Sequence, residues 1–370
     1  MRYVLLFALA LLAAAQTPLS TVPAGPTLAV PVDSTAWTFS PGATHRVDQH
    51  LRRPALFLDG RAYLAGFETE AGILEVDIAP NTDRGFAGVL FRVQPDDNGH
   101  NDFEEVYLRL HKSGLPDAVQ YAPIYNGQST WQLYRMHQTR AEFRRTGWTT
   151  LRVVFAGRRA DVYLDDRANP VLQIDHLRHD HAAGSIGLFA LFGNHFSNIR
   201  FTPLPPQPMP DWSQPAQAGV ITSWTLSPAI PATEIDVSTY PWSLLAADLW
   251  ITAQTEPSGL LPIAKYRKRP ISGRFERNPE DIVWARTELM SDTSRRLALH
   301  FDYSDKAAVY LNGRLLYAGD NAFRSKGLLE RGDLSQDANT LFLDLEPGSN
   351  ELLVAVTERA NGWGLTARVE

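Results

Sequence analysis

The chain has 370 residues, of which 44% are hydrophobic and 21% charged, and its formal net charge is −6. That length predicts about two domains with ordinary apolar cores. The acidic balance argues against a nucleic-acid partner held through phosphate contacts. The absence of cysteine excludes disulfides, thiolate metal sites and cysteine nucleophiles.

The N-terminus has the pattern of a secretory signal peptide. One arginine precedes an apolar run that ends in small residues at Ala13 to Ala15, so we predict a signal peptide over residues 1–15. The alternative is an uncleaved anchor helix, for which the apolar run is short. Cleavage predicts a secreted or periplasmic protein of bacterial type without a membrane span. Residues 16–35, rich in proline, threonine and alanine, predict a flexible leader.

Residues 36–202 alternate between apolar and polar side chains at a period of two, with turn signals between the runs. The clearest runs cover residues 73–78, 88–94, 105–111 and 184–201. This alternation is typical of strands that are buried on one side. Many short strands at this spacing favour a β-sandwich.

The second half of the chain has the same character. Six prolines predict a stiff linker over residues 203–218. In residues 219–370, Asn312 and Gly313 separate two apolar runs and give a strong hairpin signal. We therefore predict an all-β protein in which two β-sandwich (jelly-roll) domains are joined by the proline-rich linker.

Each predicted domain resembles a known family. The first resembles the concanavalin A-like superfamily, and within it laminin G-like modules and the 3-keto-disaccharide hydrolase type of domain, through residues 72–77, 86–92 and 184–201. The second resembles the galactose-binding-like jelly roll that accompanies glycoside hydrolases, through residues 308–313 and 346–354. The first resemblance implies a concave sheet that carries saccharides, and the second implies an accessory domain.

A polar face on consecutive strands is the main candidate site, with carbohydrate as the expected partner. The predicted glycan-binding residues are Arg92, Gln94, Glu105, Tyr107, Arg109, His111, Gln120, Trp131 and Tyr134. Sugars need donors and acceptors for their hydroxyls and an aromatic ring against their C–H face, and this set supplies both. The alternative is a solvated sheet face with salt bridges between strands.

Two other functions remain open from the sequence. The first is a glycoside hydrolase for oxidised disaccharides or glucans, in which Glu105 and His111 are the acid/base candidates. The strand that carries Glu75 and Asp77 lacks the further carboxylate of the glucanase pattern, and retaining hydrolysis needs two carboxyl groups about 5 Å apart. The second is an envelope scaffolding or adhesion module with a protein partner, which an exposed apolar patch would favour.

Three polar segments invite other interpretations. Ca²⁺ is the one cofactor that the sequence suggests, and its candidate ligands are Asp96, Asp97, Asn101 and Asp102. The alternative is a solvated turn. Residues 175–181 hold three histidines whose spacing does not match a zinc site, so we predict a polar loop. The basic residues of 265–269 predict a solvated loop or an interface to the first domain.

Overall fold

A computed structural model shows a protein built almost wholly from antiparallel β-sheet, which confirms the all-β sandwich prediction. The structure describes residues 19, 24–94, 101–165, 168–210, 217–245, 248–270 and 277–370. Outside these ranges lie the predicted signal peptide, residues 16–18 and 20–23 of the leader, and residues 211–216 of the proline-rich linker. No helix in the ranges is long and apolar enough to cross a membrane.

The first half of the chain forms one connected sheet of 14 strands. The strands are β1 (Leu28–Ala29), β2 (Trp37–Phe39), β3 (Thr44–His50), β4 (Arg53–Leu64), β5 (Gly72–Pro80), β6 (Phe86–Gln94), β7 (Asp102–Arg109), β8 (Val119–Tyr125), β9 (Gln128–Ser129), β10 (Gln138–Thr139), β11 (Thr149–Ala156), β12 (Arg159–Leu164), β13 (Leu172–Ile174) and β14 (Ser185–Pro203). Short 3₁₀ turns lie at Ser34–Ala36, Leu110–Lys112 and Arg135–His137.

The long strand β14 divides this sheet into two layers. One edge of β14 pairs first with β6 and then with β5, while the other edge pairs with β4 on both sides of the change and then with β1. The change occurs at a bend where Phe192 and Gly193 have φ angles of 70° and 68°. A Cβ atom at Gly193 would lie 2.6 Å from the ring of Phe57, so this bend needs glycine.

The two layers face each other across the main hydrophobic core. The rings of Phe91 on β6 and Phe155 on β11 stack with centroids 4.6 Å apart. In the sheet order these strands are separated by β14 and β5, which in a flat sheet would place them about 14 Å apart. The sheet is therefore folded over on itself as a sandwich.

The second half of the chain forms a sheet of seven strands and a sheet of four. The seven are β15 (Ser223–Leu226), β16 (Ile230–Pro231), β17 (Ile251–Gln254), β19 (Asp281–Ser291), β21 (Lys306–Leu311), β22 (Arg314–Asp320) and β24 (Gly348–Glu358). The four are β18 (Leu260–Pro262), β20 (Arg295–Ser304), β23 (Asn339–Leu345) and β25 (Gly364–Val369), and two short helices are α1 (Trp242–Leu245) and α2 (Ile263–Tyr266). The predicted hairpin at Asn312 and Gly313 is confirmed, since β21 pairs with β22 and both turn residues have positive φ.

A buried polar network joins the two sandwiches. The Tyr134 hydroxyl donates to Glu256 Oε1 at 2.6 Å, and Arg178 Nε lies 3.5 Å from Glu256 Oε2. All three residues are more than nine-tenths buried. Lys265 lies 3.0 Å from Asp180, so the predicted histidine-rich loop and basic segment meet at this interface.

Candidate functional site

The layer that contains β4, β14, β6, β7 and β8 has one face turned away from the core. Alternate residues such as Val89, Val106 and Leu108 belong to the core, so their neighbours along each strand point to the opposite side. One row of register partners on that side is Arg61, Phe189, Gly88, Tyr107, Gln120 and Gln138. The next row is Tyr63, Gly187, Leu90, Glu105 and Ala122. We call this surface the outer face.

A hydrogen-bond network forms the polar part of the outer face. Arg109 Nη2 donates to the Tyr107 hydroxyl at 3.0 Å, and that hydroxyl donates to Gln120 Oε1 at 3.1 Å. Gln120 Oε1 also accepts from Arg109 and, at 3.2 Å, from Gln138, while its amide donates to the Trp131 carbonyl at 2.7 Å. Burial raises the pKa of Tyr107 to about 12, so its phenol stays neutral. The network fixes these side chains as a rigid floor.

The wall beside this floor comes from both sandwiches. The Trp131 ring is half-buried, with the Arg109 guanidinium 5.5 Å and the Arg331 guanidinium 5.1 Å from its centroid. Phe323 meets the same ring edge-on at 6.1 Å. Arg331 also donates to Asp117 Oδ2 at 2.5 Å. Because Arg331 and Phe323 follow β22, the second sandwich contributes directly to the site.

Glu105 is the one predicted acid on the outer face. It is only 3% exposed, and its Oε2 atom has no hydrogen-bond partner in the described part of the chain. Burial raises the pKa of this carboxyl to about 7, and the positive charge of Arg61 opposes the rise. Near neutral pH the site therefore holds a carboxyl group that can exist with or without its proton.

Partly exposed aromatic rings cover the rest of the outer face. Phe189 and Tyr107 meet edge-on at 6.0 Å across Gly88, where a Cβ atom would lie 2.7 Å from Tyr107 Cβ. Phe86 lies 6.2 Å from Tyr107. The Arg61 guanidinium lies 5.5 Å from the Phe189 centroid. Apolar rings thus alternate with charged and polar groups, the combination that a sugar needs.

The structure places Arg92 away from the outer face. Its backbone has a φ of 55°, and its guanidinium donates to the Gly157 carbonyl at 2.5 Å and lies 5.9 Å from the Phe155 ring. The pairing of β6 with β7 shifts register between Phe91 and Gln94, and such a bulge changes the face to which a side chain points. Gln94 donates to the Ala183 carbonyl at the end of the strand.

His111 and Tyr134 also lie apart from the floor. His111 Nδ1 is 3.2 Å from the Gly85 carbonyl, and burial lowers the pKa of its imidazole. Four strand residues, about 13 Å, separate Glu105 from Arg109, and His111 lies beyond Arg109. The structure therefore does not bring the two acid/base candidates together. Tyr134 is fully buried in the network between the sandwiches.

Two of the four predicted Ca²⁺ ligands, Asn101 and Asp102, lie within the described residues. Asp96 and Asp97 lie outside the described residues. Asp102 Oδ1 accepts from the Asn126 backbone amide at 2.5 Å, and the Asn101 carbonyl accepts from the Gly127 amide. Within the ranges that the structure describes, no three histidine, aspartate or glutamate side chains form a group that could hold a metal ion. The Ca²⁺ site stays a prediction.

Sequence analysis missed several residues of the outer face. Arg61 lies on β4, outside the runs from which the strands were predicted, and Phe86 and Phe189 are not among the predicted site residues. Phe323 and Arg331 reach the site only through the contact between sandwiches. Residues 55–64 do alternate, which points to Arg61, whereas nothing local to the sequence points to Arg331.

Comparisons with known proteins find solved structures to which this chain is similar. No family model matches the chain, and no curated protein matches it. The carbohydrate-binding module CBM66 of Bacillus subtilis is 17% identical, with 44% of this chain and 96% of that chain covered and a TM-score of 0.31. The exoplasmic/lumenal domain of VIP36, bound to Ca²⁺ and Man3GlcNAc, is 14% identical, with coverage of 50% and 91% and a TM-score of 0.33. A glycosidic hydrolase is 14% identical, with coverage of 51% and 100% and a TM-score of 0.33.

Proposed function

We propose that the protein binds glycan on the outer face of its first sandwich. The observation that carries this proposal is the set of partly exposed rings around a hydrogen-bonded polar floor. Phe86, Phe189 and Trp131 offer apolar surface for the C–H face of a sugar. Binding sites are typically apolar surfaces with a few fixed polar groups. Tyr107 and Arg109 are 5% and 4% exposed, and they hold the polar floor beneath these rings.

Ion pairs compensate much of the charge at the outer face, and a neutral sugar is the ligand that we propose for it. Arg61 contributes one positive charge beside Glu105, whose raised pKa leaves it partly protonated near pH 7. Arg331 and Asp117 pair with each other at the wall. Arg109 and Lys112 share the same carboxylate, and Arg331 also pairs with Asp333, so the cationic groups outnumber the anionic ones by a small margin.

We also propose a role for each domain and a location for the protein outside the cytoplasm. Residues 36–202 would form the glycan-binding domain, and residues 219–370 would support it across the linker of residues 203–218. Removal of residues 1–15 would release the protein to the periplasm or the exterior, where envelope glycans are the partners within reach. The Arg331 contact supports a bracing role for the second sandwich.

A glycan array on residues 16–370 tests the proposal. We expect a specific glycan to bind the wild-type protein and to be lost from the Arg109→Ala and Trp131→Ala variants. Trp242→Ala is the matched control, because Trp242 lies in the second sandwich and is 74% exposed. Unchanged binding in both site variants would refute the proposal. Repeating the array with Ca²⁺ and with EDTA tests the predicted metal site.

A glycoside hydrolase is the second candidate function, and the raised pKa of Glu105 favours it. A carboxyl group that titrates near neutral pH is suited to donate a proton to a leaving group. Hydrolysis also needs a second carboxylate or a base that activates water. Among the described residues, neither strand partner of Glu105 on the outer face is such a group. Sugar release from oxidised disaccharides or glucans that is lost in Glu105→Gln would support hydrolysis, and its absence across those substrates would exclude it.

A further inference from the structure

We propose that a second glycan subsite lies in a depression at the bend of β14. The proposal rests on the function proposed above and extends it to a longer ligand. The depression is shallow and widely open to solvent, as suits one unit of a chain that lies along the surface. Its lining includes Phe57, Asp59, Thr82, Asp83, Arg84 and Phe192.

The bend holds an aromatic ring out towards solvent. Phe192 is 44% exposed, and its backbone lies in the left-handed region with a φ of 70°. Its amide donates to Asp59 Oδ1 at 3.0 Å, which fixes this backbone. The Arg84 guanidinium lies 5.2 Å from the ring centroid. A bulky residue in this region is uncommon, and strained positions concentrate at sites that bind ligands.

The polar groups around Phe192 suit sugar hydroxyls. Asp59 and Asp83 provide carboxylate oxygens that accept hydrogen bonds, and Arg84 provides donors. The Phe192 ring provides the apolar surface for the C–H face of a pyranose. Two carboxylates against one guanidinium leave a local excess of negative charge, which repels acidic sugars. The subsite therefore favours a neutral sugar unit over an acidic one.

A track of rings connects this depression to the outer face. Phe192 lies 6.1 Å from Phe86, and Phe86 lies 6.2 Å from Tyr107. Leu191, which precedes Phe192, is 37% exposed and is the register partner of Phe86. A linear glycan that lies on the outer face can therefore continue over Phe86 to Phe192. The occupant of the depression is a further unit of the same neutral chain.

Calorimetric titration with oligosaccharides of increasing length tests this subsite. The probes are cello-, laminari-, manno- and xylo-oligosaccharides of two to six units, with oligogalacturonates as the acidic comparison. We expect Phe192→Gly to weaken binding of the longest neutral probe about tenfold, the effect of losing roughly one aromatic contact. Binding of the disaccharide should not change. Glycine accepts the positive φ of residue 192, so this variant removes the ring without adding backbone strain.

The controls separate this proposal from the one on which it rests. Phe342→Ala removes a 65% exposed ring from the second sandwich and should leave all affinities unchanged. If Trp131→Ala weakens every length and Phe192→Gly weakens none, the outer-face site stands and the subsite is refuted. Equal affinity for oligogalacturonates would refute the neutral-sugar assignment. No binding of any probe by the wild-type protein would overturn the subsite proposal, while the glycan array decides the outer-face site separately.

Discussion

Arg109 and Tyr107, two residues apart on β7, are joined by a hydrogen bond of 3.0 Å from Arg109 Nη2 to the phenol oxygen. Residues at i and i+2 of a strand share a face, so their side chains can meet without any loop to position them. The same guanidinium donates to the Asp117 carbonyl at 2.7 Å and to Gln120. One planar group with several donors thus organises the floor of the outer face.

Replacing this guanidinium by an ammonium should disrupt the floor. Arg109→Lys keeps the charge but loses the planar donors that serve Tyr107, Gln120 and Asp117 at once. We expect glycan affinity to fall about tenfold, which corresponds to one or two lost hydrogen bonds. Calorimetric titration measures the affinity, and circular dichroism checks the fold. Arg296→Lys, at an exposed ion pair on the second sandwich, should have no effect.

The raised pKa of Glu105 predicts a dependence of stability on pH. Burial raises this pKa to about 7, above its ordinary value, so between about pH 4.5 and 7 the folded protein binds a proton that the unfolded chain has lost. The free energy of unfolding contributed by Glu105 therefore decreases as the pH rises through this window. Glu105→Gln removes the dependence and should be more stable than wild type by up to about 3 kcal/mol at pH 8.

Urea denaturation of wild type and Glu105→Gln at pH 5 and pH 8 measures this difference. The stability gain of the variant should be larger at pH 8. A gain that is the same at both pH values would show that Glu105 does not titrate in this range.

His137 should produce the opposite dependence. Burial and the nearby charge of Arg178 lower the pKa of His137 to about 3, and Arg178 Nη2 lies 3.1 Å from its Nε2 atom. Between about pH 6.5 and 3 the unfolded chain binds a proton that the folded protein excludes. Stability contributed by His137 is therefore lost as the pH falls below 6.5, by about 1.4 kcal/mol for each pH unit.

His137→Gln should reduce this loss. The difference in the free energy of unfolding between the variant and wild type should shift in favour of the variant from pH 7.5 to pH 5. An NMR titration that shows His137 gaining a proton near pH 6.5 in the folded protein would contradict the prediction.

Glu256 should be important for the contact between the sandwiches. Its carboxyl accepts from the Tyr134 hydroxyl and lies beside Arg178 in a buried setting. Glu256→Gln removes the negative charge that faces this guanidinium, and breaking a buried ion pair costs about 3–5 kcal/mol. We expect the midpoint of urea unfolding to fall accordingly. Glu330→Gln, at an exposed position, is the control and should change the midpoint little.

Alternation along the strands predicted much of the fold and part of the site. Tyr107, Arg109 and Gln120 were expected on one face, and β7 and β8 do place them together. Alternation was enough to predict these neighbours because a regular antiparallel strand pair fixes which side chains lie next to each other. The hairpin at Asn312 was predictable for a similar local reason.

Alternation does not predict irregular pairing or contacts between distant segments. The bulge in β6 turns Arg92 towards the interior, and nothing in its sequence marks that shift. Arg331 reaches Trp131 from 200 residues away along the chain because two sandwiches pack together. Burial also changes roles: Tyr134 appeared as a candidate sugar platform, but it lies within the interface.

Binding at the outer face is tested by calorimetric titration of the best array glycan into wild type, Trp131→Ala and Trp242→Ala. Trp131 lies at the outer face, and Trp242 is an exposed ring of the second sandwich. We expect Trp131→Ala to weaken binding about tenfold or more and Trp242→Ala to bind as wild type does. Wild-type affinity in Trp131→Ala, or a loss confined to Trp242→Ala, would contradict binding at the outer face.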